Sequence, residues 1–267
     1  MHPYLDLPRP HLFAHRGASG EAPENTMPAF ERAIEHGIPY LEMDCHATSD
    51  GEIVICHDAD LDRTTDAHGP LRERSFAELQ RLDAGYRFSP DRGQSHPFRG
   101  KGVRIPKLDD VLASFPDARI NLEIKQADPS IAAEVLRRVR AAGATERVLL
   151  AAEEDEIMTE IRALEPGTAL GSSLADVVAF YVAIRDGEID RFVPKGDALQ
   201  IPPNFGADAL VTEAAVAAAR STGVAMHVWT INDPAEIRRL LDAGVDGIMS
   251  DFPGRLLTEA RAHAEAG

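Results

Sequence analysis

The sequence predicts an α/β protein: a (β/α)8 TIM barrel with an inserted segment after the second strand. Three observations carry that expectation. Eight short apolar runs recur along the chain, each ending in polar residues and leading on to a helix-period pattern, and such alternation implies a parallel sheet covered by helices. The chain has 267 residues, about what eight strand-helix units require. Residues 58–107 break the rhythm with Asp, Gly, Pro, Ser and Arg. A structureless loop of that length is uncommon inside a compact unit, so this stretch reads as an insertion near the active face of one domain spanning residues 1–267.

The first strand covers 11–14 and runs into His15-Arg16-Gly17, where glycine lets the backbone turn. Asn25 or Thr26 is placed to cap a helix over 26–36. The second strand is 40–47, and Asp50-Gly51 then turns the chain into 52–56, a hairpin signal rather than a helix. Inside the insertion only 75–83 reads as helical. The rhythm resumes with a helix at 109–115, a strand at 119–125 and a helix at 129–142 that stops at Gly143. Strands at 148–152, 168–172, 198–201, 225–230 and 247–250 lead in turn to helices at 155–164, 175–185, 213–222, 234–243 and 255–263. An open doubly wound sheet would alternate in the same way, but Gly17-Ala18-Ser19-Gly20 lacks the G-x-G-x-x-G nucleotide turn expected after its first strand.

Composition narrows the partners. With 44% hydrophobic and 27% charged residues the chain is ordinary for a globular protein, and its formal charge of -16 argues against general affinity for nucleic acid or anionic membrane. An anionic small-molecule substrate would need a local positive site. Residues 1–10 carry no signal-peptide pattern, and no run of about 18 apolar residues exists, so a cytoplasmic protein without a transmembrane segment is expected. Cys45 and Cys56 are the only cysteines. They could pair across adjacent strands, but free buried thiols are the expected state. No repeat, heptad or apolar stripe suggests a structural partner, and oligomeric state is not legible.

In a TIM barrel the chemistry belongs at the C-terminal ends of the strands. His15-Arg16 ends the first strand and joins a group that can move protons to one that grips anions, although a lone His-Arg is as ordinary on a surface. Glu42 and Asp44 end the second strand on one face. Glu123 and Lys125 repeat the device on the third, where an isolated Glu-x-Lys would be a simple ion pair. Three carboxylates converging on one opening repel one another unless a divalent cation joins them, and oxygen-only ligands favour Mg²⁺ or Ca²⁺ over zinc. His57 closes the hairpin strand and, with His15, offers an acid and a base. Trp229, the only tryptophan, is by default a core aromatic, yet its place near a strand end also suits a wall against substrate. The remaining histidines are expected to be structural or exposed, with His46 and His227 least settled because they lie near strand ends.

In combination these residues resemble the glycerophosphodiester phosphodiesterase family. The likeness runs through His15-Arg16-Gly17, Pro23-Glu24-Asn25-Thr26, Glu42-Met43-Asp44, Asp50-Gly51 leading to His57-Asp58, and Leu61-Asp62-Arg63-Thr64-Thr65. It continues through Ile105-Pro106-Lys107-Leu108, Asn121-Leu122-Glu123-Ile124-Lys125, Val228-Trp229-Thr230-Ile231-Asn232 and the closing Gly244 to Asp251. The resemblance implies a divalent metal ion, Mg²⁺ or Ca²⁺, on Glu42, Asp44 and Glu123, an acid/base pair of His15 and His57, and phosphate contacts from Arg16 and Lys125. Glu24 and Asn25 would support the first loop in such a family, although helix capping is the reading their own position favours. His46 and Cys56 depart from the common pattern, which bears on substrate preference more than on the reaction. Two alternatives remain: a lysophospholipase D, for which Tyr86, Phe88 and Phe98 of the insertion could line a lipid groove or form an ordinary lid core, and a non-catalytic barrel binding metal or phosphate.

Overall fold

The computed structural model describes residues 2–266. Strands β1 (His11–Ala14) and β2 (Tyr40–Ala47) are followed by β3 (Ile53–Ile55), which folds back antiparallel on β2. Then come β4 (Arg119–Ile124), β5 (Val148–Ala151), β6 (Ala169–Leu170) and β7 (Ala198–Ile201), a small hairpin of β8 (Asn204–Phe205) and β9 (Asp208–Ala209), and finally β10 (Ala225–Val228) and β11 (Gly247–Ser250). The barrel order is β6-β5-β4-β2-β1-β11-β10-β7. Its eight strands are parallel, as the alternation predicted.

Around them lie α1 (Met27–Glu35), α2 (Phe76–Leu79), α3 (Leu108–Ser114), α4 (Ala132–Ala141), α5 (Asp155–Ala163), α6 (Leu174–Arg185), α7 (Glu213–Thr222), α8 (Pro234–Asp242) and α9 (Pro253–Ala266). Among the described residues no helix is long and apolar enough to cross a membrane. The seam of the barrel falls between β6 and β7, where one parallel bridge joins Gly171 to Ala198. The strand expected over 168–172 is shorter there for a local reason. The Asp197 carboxylate takes the Leu170 N–H at 2.8 Å, so a side chain stands in for part of the strand ladder.

Period-two alternation sorts the strand residues into two cores. Leu12, Leu41, Met43, Cys45, Ile120, Leu122, Val148, Met226 and Ile248 point outward and pack with the helices. Phe13, Tyr40, Leu149, Ala151, Ala198, Ala225 and Met249 fill the barrel itself, and Tyr4 and Leu5 from the N-terminal segment plug its floor. Residues in step with the inner set reach the opposite end of the barrel as β1, β2, β4, β10 and β11 finish. That is where the polar side chains gather.

The insertion has its own small core of Val54, Cys56, Leu61, Leu71, Leu79, Ala84, Val103 and Ile105, with Phe98 packed against it. A capping box of Ser75 and Glu78 starts α2, and Val54 bridges Lys107 where the segment rejoins the barrel. Phe88 meets Phe98 edge-on at 5.4 Å, and Arg99 stacks over Tyr86 at 4.2 Å. Phe88 and Phe98 thus pack on each other and Tyr86 on arginine, while Phe98 alone of the three joins the core of the insertion. Cys45 and Cys56 are both buried and free, one facing the helices and the other the insertion.

Two expectations change. Thr26 does sit at the N-cap of α1, but it makes no side-chain cap bond there; its hydroxyl donates to the Pro23 carbonyl, and Asn25 turns away from the helix into the barrel mouth. An apolar stripe also exists, since Leu174, Val178 and Val182 stand exposed along the outer face of α6. The sequence hid it because this helix is apolar almost all round, which leaves no period to read.

Candidate active site

His15 is the first residue beyond β1, and its N–H still bonds the Ser250 carbonyl. The chain then turns sharply. Arg16 takes φ +52° and Gly17 φ +78°. A Cβ on Gly17 would lie 2.7 Å from the Ala29 backbone, so glycine is required for both conformation and space. The turn aims the Arg16 side chain back over the barrel mouth beside His15.

Each proposed proton carrier is gripped by an aspartate through Nδ1. His15 Nδ1 donates to Asp251 Oδ1 at 2.7 Å, and His57 Nδ1 donates to Asp58 Oδ1 at 2.6 Å. Such a bond fixes the ring and leaves Nε2 for a reacting group. For His15, Nε2 lies 3.4 Å from Thr230 Oγ1 and 3.9 Å from Glu42 Oε2. Burial works to lower the His15 pKa, but the Asp251 hydrogen bond and the Glu42 carboxylate outweigh it and hold the ring above the ordinary imidazole value. Asp251 is itself pinned by Ser19 Oγ at 2.8 Å and Asn232 Nδ2 at 2.6 Å. The His57 carbonyl accepts from His46 Nε2 at 3.0 Å, so His46 supports the backbone of its neighbour.

Glu42, Asp44 and Glu123 converge as their places on β2 and β4 require, since Asp44 pairs in register with Glu123. One oxygen from each lies within 4.8 Å of the others. Glu42 is buried, and that burial together with Asp44 pushes its pKa from 4.5 to about 8. Glu123 is likewise raised by burial and by Asp44, against the pull of Lys125. The cluster is short of positive charge. Lys125 Nζ supplies some, at 2.6 Å from Glu123 and 3.5 Å from Asp44, while the Arg16 N–H donates to Glu42 at 2.8 Å and its Nε lies 3.4 Å from Asp44. Asn25 Nδ2 donates to Asp44 at 2.9 Å. An all-oxygen donor set that is buried, crowded and under-neutralised fits a hard divalent cation.

Of the eight residues singled out in the sequence, His15, Arg16, His57, Lys125 and Trp229 follow strand ends and Glu123 is next to last in β4, whereas Glu42 and Asp44 lie within β2, which runs on to Ala47 to pair with β3. Trp229 is 40% exposed just beyond β10, so it is a rim residue rather than a core aromatic. His227, by contrast, is fully buried at the barrel floor. Asp251 was quoted in the sequence only as the end of a motif, yet the pairing of His11 with Gly247 places it level with His15. Asp58 is legible as the neighbour of His57; Asn232 and Arg63, like Asp251, stand in the motifs without a role, and they and Ser19 gain one through contacts to Asp251 and Glu24 that are distant in sequence.

A (β/α)8 barrel whose reactive groups meet at one end of its strands is built as TIM-barrel enzymes are. The chain belongs to the glycerophosphoryl diester phosphodiesterase family, which matches it over residues 15–255. It is 31% identical over 250 residues to a glycerophosphodiester phosphodiesterase of Bacillus altitudinis, covering 91% of this chain and 95% of that one. A solved phosphodiesterase of Oleispira antarctica, in complex with the product sn-glycerol-3-phosphate, has a TM-score of 0.77 at 27% identity and covers 98% of this chain and 100% of its own. A lysophospholipase D of Mus musculus is 27% identical over 271 residues, covering 91% of this chain and 83% of its own.

Proposed function

We propose that the whole chain is one catalytic unit, a metal-dependent phosphodiesterase that hydrolyses glycerophosphodiesters to glycerol phosphate and an alcohol. The observation that carries this reading is the pair of aspartate-gripped histidines beside a buried carboxylate triad at the barrel mouth. Arg16 and Lys125 hold the phosphate oxygens. One histidine takes the proton of the attacking oxygen, from water or from the substrate's neighbouring hydroxyl, as its bond to phosphorus forms. The other gives a proton to the alcohol oxygen as the second bond breaks. Trp229 forms a wall for the alcohol. Glu42, Asp44 and Glu123 would hold a Mg²⁺ or Ca²⁺ ion, which when bound supplies charge against the phosphate oxygens.

A glycerol-phosphate-bound relative and the insertion's aromatics, Phe88 packed on Phe98 and Tyr86 covered by Arg99, favour small glycerophosphodiesters over lysolipids. The test is a panel of glycerophosphocholine, other glycerophosphodiesters and lysophosphatidylcholine, assayed with Mg²⁺, Ca²⁺ or chelator. Turnover of the water-soluble diesters that chelation abolishes supports the reading. Faster turnover of lysophosphatidylcholine would reassign the enzyme as a lysophospholipase D, and metal-independent turnover would remove the metal from it.

A further inference from the structure

Arg63 stands between the two halves of the site without belonging to either. It lies in the first turn of the insertion, and its guanidinium makes four hydrogen bonds to two carboxylates. Nε and Nη2 reach Asp58 at 2.6 and 3.2 Å, while Nη1 and Nη2 reach Glu24 at 2.5 and 2.7 Å. Each carboxylate has a second duty. Asp58 accepts from His57 Nδ1 at 2.6 Å, and Glu24 accepts from Arg16 Nη1 at 2.9 Å. A chain of charge-assisted bonds therefore runs from His57 through Asp58, Arg63 and Glu24 to Arg16, joining the insertion to the turn after β1.

The bland account is a surface ion pair, since the Arg63 side chain is 47% exposed and exposed pairs contribute little to stability. Its partners argue otherwise. Glu24 and Asp58 are only 19% and 29% exposed, both are engaged by the fork of one guanidinium, and each is bonded to a residue of the site. A lysine could serve one carboxylate but could not present two edges to both. Among the described residues, no other side chain bonds both Asp58 and Glu24.

We propose that Arg63 is a positioning residue that sets His57 and Arg16 together: it holds Asp58 against His57 Nδ1, so that Nε2 faces the phosphodiester, and holds Glu24 against Arg16. The inference rests on the acid/base assignment of His57 above. Arg63 also keeps the Asp58 carboxyl ionised, its hydrogen bond and that of His57 overcoming burial to bring the pKa down to about 2.

The test measures kcat and KM of the metal-loaded R63A, R63K and R63Q enzymes on glycerophosphocholine, beside H57A, with thermal unfolding as a check on folding. Expected is a fall in kcat of roughly 10- to 100-fold for R63A, the range for residues that orient a reacting group, with a smaller change in KM. R63K stays low, and added guanidinium ion restores part of the R63A rate by refilling the fork. Nitrogen-15 spectra of the His57 ring shift from the single Nδ1–H tautomer toward a mixture. Should R63A fail to fold, R63Q and R63K carry the same comparison. Wild-type kcat in the folded Arg63 variants while H57A is inactive overturns the inference and leaves the acid/base reading standing. Loss that lysine fully restores overturns it too, because charge alone would then suffice. Wild-type kcat in H57A instead overturns the acid/base reading on which the inference rests.

Discussion

His11 opens β1 and His15 follows its last residue in step with the same face, four residues or about 13 Å apart, and their surroundings differ in kind. At the floor, His11 Nδ1 meets His227 Nε2 at 3.4 Å amid Phe13 and Tyr40, and among the described residues His227 Nδ1 has no hydrogen-bond partner. Burial pushes both imidazoles below the ordinary pKa, His227 far below it. At the mouth, His15 and His57 each give Nδ1 to an aspartate, and no second histidine competes for it. One end of the barrel packs its imidazoles among aromatic rings, while the other holds each imidazole by a carboxylate at Nδ1. The ring cannot tell the two uses apart; its neighbours on adjacent strands do.

The largest effect should come from testing that contrast directly. H15A and H57A are each expected to lower kcat on glycerophosphocholine by about 10²- to 10⁴-fold, the usual worth of a general acid or base, with the thermal midpoint nearly unchanged. H227L is expected to retain kcat per folded molecule. A dead but folded H227L, or an active H57A, would break the comparison.

Next in size is a packing change at the floor. A Cβ on Gly247 would lie 2.8 Å from both the His227 ring and the Phe13 ring, so G247A should cost about 1–3 kcal/mol of stability, as overpacked cores do. Urea unfolding measures the loss, and kcat of the folded fraction should hold.

The two ends also predict opposite responses to pH. At the floor the folded state binds fewer protons than the unfolded chain once pH falls below about 6.5, so stability is lost on acidification. At the mouth of the metal-free protein, Glu42 titrates near 8 instead of 4.5. The folded state therefore binds more protons between those values, and stability is lost as pH rises through about 8. Urea midpoints across pH in chelator should show both limbs, with H227L flattening the acid one and E42Q the alkaline one. Unchanged limbs in these variants would assign the pH dependence elsewhere.

The smallest expected effect lies at the rim. If Trp229 faces the choline of glycerophosphocholine, W229A should raise KM by about two- to five-fold, matching ~0.5–1 kcal/mol for an exposed cation–π contact, and leave glycerophosphoglycerol less affected. Equal changes for both substrates would show a wall without charge preference.

Alternation and strand-end chemistry were legible in the chain itself, because period two and helix-period patterns are local and the reactive pairs are two residues apart: Glu42 with Asp44, Glu123 with Lys125. The sequence thereby determined the barrel, its insertion and most of the mouth. It placed Asn25 as a cap, since local preference favours that residue type before a helix, and tertiary structure overrode the preference by giving its amide to Asp44. Asp251, Ser19, Asn232 and Arg63 acquire their places through bonds that cross the barrel or join separate loops. Only tertiary structure decided those, along with which histidines lie at the floor. A strand records which face a side chain takes, whereas its partner, burial and charge depend on which strand closes beside it.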